Sequence, residues 1–186
     1  MFSPNRNTAA AIKAAPLVVG TLLLATANVR ADGEHHPLVL TAFINGAGGP
    51  SLVAGKYDAA LGEIQHGQAP LQNIQDLKVT NLCVAYTALR RWEQAKRPCD
   101  AAVTAAKADK QRAASGPSAS LTDENAYVAI AYTNRAVLHW LTRDADSAKA
   151  DLDRAQSLAP QADFVVRNLA AVGTARTVAQ LDVSPR

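Results

Sequence analysis

The sequence predicts an all-α fold, a short row of antiparallel helix hairpins with a closing C-terminal helix. Three observations carry that reading. The chain has 186 residues with 48% hydrophobic but only 5% aromatic residues, and its alanine-rich composition favours helix because Ala has the least side-chain entropy to lose. Alanines follow a charged turn in Lys56-Tyr57-Asp58-Ala59-Ala60, Arg91-Trp92-Glu93-Gln94-Ala95 and Asp144-Ala145-Asp146-Ser147-Ala148. They recur at intervals of 35 and 53 residues (95 − 60 and 148 − 95). Asn81 and Asn134 each stand 14 residues before the alanine of their unit, and Asn168 follows Asn134 by 34. The length suits one domain of ordinary size.

Residues 1–31 read as a signal peptide. A polar lead with Arg6 and Lys13 precedes the uncharged apolar run Ala14–Ala27, and Val29-Arg30-Ala31 offers a cleavage site with Asp32 as the mature start. The run is too short for a bilayer core, which needs about 20 apolar residues, so no membrane span is expected in the mature chain. The alternative is an uncleaved anchor. The compartment implied is the periplasm, where two cysteines can pair.

Charge follows the same division. The formal net charge is +3, yet Arg6, Lys13 and Arg30 account for it, leaving 16 basic against 16 acidic residues after Ala31. With few aromatics besides, neither a nucleic-acid partner nor an anionic surface is indicated.

Residues 32–52 read as an extended or irregular segment, with the apolar run Leu38–Ile44 followed by the turn-rich Asn45–Pro50; no regular sheet is expected. Residues 53–172 form the helical domain. Its third unit carries Ala136, Ala148 and Ala155 and ends in Leu158-Ala159-Pro160. The second, Val79 to about Asp109, carries Leu82, Cys83, Tyr86, Trp92, Ala95, Cys99 and Ala102, while the first is visible only from Tyr57 to about Gln65. Phe164–Val172 supplies the closing helix.

This pattern resembles tetratricopeptide repeats (TPR), whose helices A and B pack through small residues. The resemblance implies a right-handed superhelix whose A helices line a concave face. Pro98 departs from the pattern, since a proline inside helix B removes an amide donor and clashes with the preceding turn; a kink or restart is expected there. The longer interval is expected to be taken up by an extended helix B and a linker at 113–121, with Thr122 capping the next helix. Residues 173–186 read as a loose tail.

Cys83 and Cys99 fall at small positions that face each other in TPR hairpins, which implies a disulfide within one unit, closing a loop of about 17 residues worth about 3 kcal/mol. The alternative is two buried thiols acting as small core residues. Asn81, Asn134 and Asn168 fall on three A helices, where amides can donate and accept at once and so hold the backbone of an extended peptide. Equally, they could bond to neighbouring helices. Leu77, Ile130 and Phe164, four residues before each Asn, make the groove apolar rather than a carboxylate clamp. Val84, Val137, Trp140 and Leu141 share that face, with Trp140 either an aromatic anchor or core. If the asparagines stand exposed, their replacement by Ala should barely move melting.

Catalytic and metal motifs are missing. His35 and His36 near Glu34 lack a supporting shell. Gly55-Lys56 fails as a phosphate loop, having Pro50 and Tyr57 where Gly and Ser or Thr are required. His66 and His139 have no acid or nucleophile partner visible in sequence. The expectation is therefore a periplasmic, non-enzymatic adaptor with a protein or peptide partner and no cofactor; a thiol/disulfide redox protein using Cys83 and Cys99, or a structural subunit stacking through Phe164–Val172, are the alternatives.

Overall fold

A computed structural model describes residues 24–29, 38–67, 75–115 and 121–181. Helix dominates. Two strands, β1 (Leu24–Val29) and β2 (Leu38–Phe43), precede seven helices: α1 (Gly49–Val53), α2 (Tyr57–His66), α3 (Gln75–Ala88), α4 (Trp92–Ala114), α5 (Leu121–Leu141), α6 (Ala145–Leu158) and α7 (Asp163–Leu181). The strands pair antiparallel, with Leu24 opposite Phe43 and Val29 opposite Leu38, so the expectation of no regular sheet is corrected.

Three helix pairs are closed by one repeated turn. In the first, Gly55 N–H donates to the Leu52 carbonyl and Lys56 N–H to Ser51; in the second, Arg90 donates to Thr87 and Arg91 to Tyr86; in the third, Arg143 donates to Trp140 and Asp144 to His139. Each joins the second residue after the helix to the third residue back and the one following it to the fifth back, the Schellman pattern that satisfies the last carbonyls of a helix. The pivots are left-handed in all three, with φ of 72° at Gly55, 56° at Arg90 and 68° at Arg143. They repeat the alanine intervals of 35 and 53 residues. Ala60, Ala95 and Ala148, the alanines of the sequence pattern, are fully buried, letting paired helices approach closely.

Each helix from α3 to α7 packs on the next, α3 also touches α5 and α5 touches α7, while β2 lies against α3, α5 and α7. The odd-numbered helices therefore make an inner layer facing the strand.

Several boundaries differ from the sequence reading. α4 continues through Pro98 without a break; the carbonyl deprived of its donor is that of Gln94, an exposed residue whose backbone lies where solvent can serve it. α5 begins one residue ahead of Thr122, and α7 runs to Leu181, so residues 173–181 are helix rather than tail, as their Ala-, Arg- and Gln-containing sequence allows. Among the described residues no helix is long and apolar enough to cross a membrane. Residues 1–23 and 30–37, with the expected cleavage after Ala31 and the pair His35 and His36, lie outside the described residues.

Candidate functional site: an asparagine-clasped strand

The three asparagines meet on one object, and it is the chain's own strand β2. Asn168 Oδ1 accepts from the Val39 N–H at 2.8 Å and its Nδ2 donates to the Val39 carbonyl at 2.8 Å. Asn134 does the same for Thr41, at 2.8 Å on both sides. Asn81 accepts from the Phe43 N–H at 2.8 Å and donates to the Phe43 carbonyl at 2.9 Å and to the Ala47 carbonyl at 3.0 Å. A primary amide carries an acceptor and donors side by side, so it closes both backbone groups of one strand residue as a second strand would. All three side chains are fully buried.

The asparagines are therefore not an exposed row. The condition under which Ala at these positions would barely affect melting is not met, because the amides are sealed under the segment they hold.

Alternation along β2 places its other contacts. Leu38, Leu40 and Ala42 join a buried cluster with Leu52, Ile64, Val84 and Val137, against which Trp140 and Leu141 pack from half-buried positions. Val39 and Phe43 join Ile130 and Phe164 on the other side, with Leu77 packed against them. The apolar lining expected from the residues four before each Asn is thus assembled around the strand. Phe43 also stacks on Tyr127, ring centres 5.0 Å apart. Thr41 sits among these apolar neighbours with its hydroxyl buried and without a hydrogen-bond partner.

The turn after β2 needs glycine. Gly48 has φ of 71°, and a Cβ there would stand 2.7 Å from the Ala60 carbonyl oxygen and from Ile64 Cγ1. At Gly46 a Cβ would meet Asn81 Nδ2 at 2.8 Å, so that glycine keeps the third bond of Asn81 open.

Cys83 and Cys99 form the expected disulfide, Cα atoms 4.7 Å apart, joining α3 to α4. Both are fully buried, which leaves no sulfur presented to a thiol substrate.

A second polar cluster escaped the sequence reading. Arg135 on α5 makes two bonds to Asp151 on α6, Nε to Oδ2 at 2.7 Å and Nη2 to Oδ1 at 2.9 Å, and a third to Asp100 on α4 at 2.9 Å. Hydrogen bonding to Asp151 raises the Arg135 pKa further, against the opposing effect of burial. His139, which had no acid partner visible in sequence, lies 3.4 Å from Asp144 and 3.9 Å from Asp151. These residues are 5 and 12 positions downstream, and only the hairpin brings them near. Arg135 and Arg154 also lie over the Tyr132 ring, each 5.7 Å from its centre. The cluster ties three helices together. His66 stands exposed at the end of α2, as does Lys56 at its start, and among the described residues no group of three or more His, Cys, Asp or Glu could hold a metal ion.

Comparison with protein-family models, with characterised proteins and with solved structures finds no match.

Proposed function

We propose that the protein is an exported, non-enzymatic interaction module of TPR-like hairpins, and that its concave groove works on extended polypeptide. The observation that supports this most is the triple asparagine clasp on Val39, Thr41 and Phe43. It addresses backbone rather than side chains, and so suits a strand of many sequences. The repeated Schellman turns support the hairpin architecture, and the apolar run before Ala31 supports export to the periplasm. A redox role for Cys83 and Cys99 is less well supported, since reactive thiols need exposure and a lowered pKa and both are buried in a disulfide.

The groove reading is tested by loosening the strand and supplying it in trans. Thr41→Pro removes the N–H that Asn134 accepts and should lower melting of the full chain. A synthetic peptide of residues 37–44 should then restore it in proportion to ln(1 + [L]/Kd), while the same peptide N-methylated at Thr41 should not. If the Thr41→Pro chain is folded and the unmodified peptide gives no shift, the groove holds only its own strand and the reading falls.

A further inference from the structure

A strand has two edges, and the clasp uses one. The N–H and C=O of one residue point to the same side, and those of the next residue to the opposite side. With Val39, Thr41 and Phe43 turned toward the asparagines, the backbone groups of Leu38, Leu40 and Ala42 face the other way. There they meet β1, whose Val29, Ala27 and Ala25 stand opposite. The segment on that edge belongs to the expected signal peptide. The inference rests on the export and groove readings above: cleavage after Ala31 removes β1 and uncovers an edge lying among apolar side chains.

We infer that this outer edge of β2 is a strand-acceptor site, filled by Leu24–Val29 before processing and afterwards by an extended, uncharged segment of a partner protein, at least six residues long and antiparallel. Three observations favour that occupant. A six-residue uncharged strand, Leu-Ala-Thr-Ala-Asn-Val, is already seated there in full register, so the seat has the width of one strand. The inner edge is already held by the asparagines, and a partner there has to outcompete a tethered segment whose effective concentration is on the order of millimolar, so the outer edge is the more accessible of the two. Residues 38–49 carry no charged side chain, so nothing selects a charged ligand. A second copy would bring its own uncovered β2 edge, and that occupant would show as a dimer of the processed chain. Uncovered edges invite strand addition, and here the covering strand is the one expected to be removed.

The test uses protein recovered from the periplasm, its N-terminus read by intact mass, and a fluorescent peptide of residues 24–29 with both ends blocked as probe. A chain beginning at Asp32 should bind the peptide, and binding should be unchanged between low and high salt because no ion pair contributes. N-methylation at Ala25 and Ala27, whose amides face β2, should weaken binding at least fivefold for the loss of two hydrogen bonds. The same modification at Thr26 and Asn28, whose amides face away, should change it less than twofold. Because the modifications lie in the peptide, folding of the protein is not at issue. The inference is overturned by no binding, by equal loss from both peptides, by recovery only of chain that retains Leu24–Val29, or by a dimer of the processed chain that the peptide dissociates, which would make a second copy the occupant. Rescue of the Thr41→Pro chain together with any of these results removes the acceptor edge and leaves the groove reading intact.

Discussion

Replacing Asn134 by Ala removes the middle rung of the clasp. Two hydrogen bonds are lost, both 2.8 Å and both to Thr41. Each is worth about 0.5 to 1.5 kcal/mol net, but the larger effect is that the Thr41 N–H and C=O are stranded in a buried site, at about 1 to 3 kcal/mol for each group that water cannot reach. Since Thr41 and Asn134 are both 0% exposed, local opening can relieve only part of this, and a loss of about 2 to 5 kcal/mol is expected. For a chain of this size that lowers Tm by on the order of 10 °C. Urea denaturation of the full chain followed by circular dichroism is the assay. If the strand leaves the groove before global unfolding, the transition should also lose slope, because less surface remains to be exposed. Asn134→Asp offers a second variant: it keeps an acceptor for the Thr41 N–H but sets an oxygen against the Thr41 carbonyl, so it should also destabilise at neutral pH. A change below about 0.5 kcal/mol in both variants, the range of an ordinary surface substitution, would refute the clasp.

Thr41→Val removes the buried hydroxyl that has no partner at nearly constant shape and should stabilise by about 1 kcal/mol, read as a rise in Tm. Replacing both Cys83 and Cys99 by Ala should cost about 3 kcal/mol from loop closure alone, and non-reducing mass analysis of the parent should show two hydrogens fewer than the reduced chain. Asp144 caps α6, and hydrogen bonds from the Ser147 side chain and backbone lower its pKa below the usual 3.8. A group depressed in the folded state adds stability above its unfolded pKa and loses it as pH falls through the folded value, so the melting temperature of the parent should fall more steeply below about pH 4 than that of Asp144→Asn, which caps without a charge.

The hairpins were legible because small residues recur where helices touch: Ala60, Ala95 and Ala148 are buried contacts and mark the units at any spacing. The disulfide was legible for the same reason, as two more small positions of one unit. So was the apolar line of Leu77, Ile130 and Phe164. What fills the groove was not. Leu38–Phe43 is buried on both faces, so it lacks the alternation that identifies a half-exposed strand, and its partners lie 38 to 129 residues away, beyond any local pattern. The pairing with β1 was hidden further because Leu24–Ala27 belongs to a run whose composition already suited a leader. The acids beside His139 and the fork on Arg135 depend on how α5 and α6 fold back on each other, and one helix's sequence says nothing of that.

The interval of 53 residues between Asn81 and Asn134 ought to have broken a ladder whose next interval is 34, yet the rungs fall on alternate residues 43, 41 and 39 without a gap. The 19 extra residues explain this by where they go. They lengthen α4, which runs to Ala114, and the connection that follows it before α5. α3, α5 and α7, which carry the asparagines, still meet in succession along β2. One rung per two strand residues means a step of about 6.7 Å, shorter than the 8 to 10 Å between packed helix axes, so the amide tips must converge toward the strand. At the Phe43 end of the strand the chain turns through Gly46 and Gly48 into the five-residue α1.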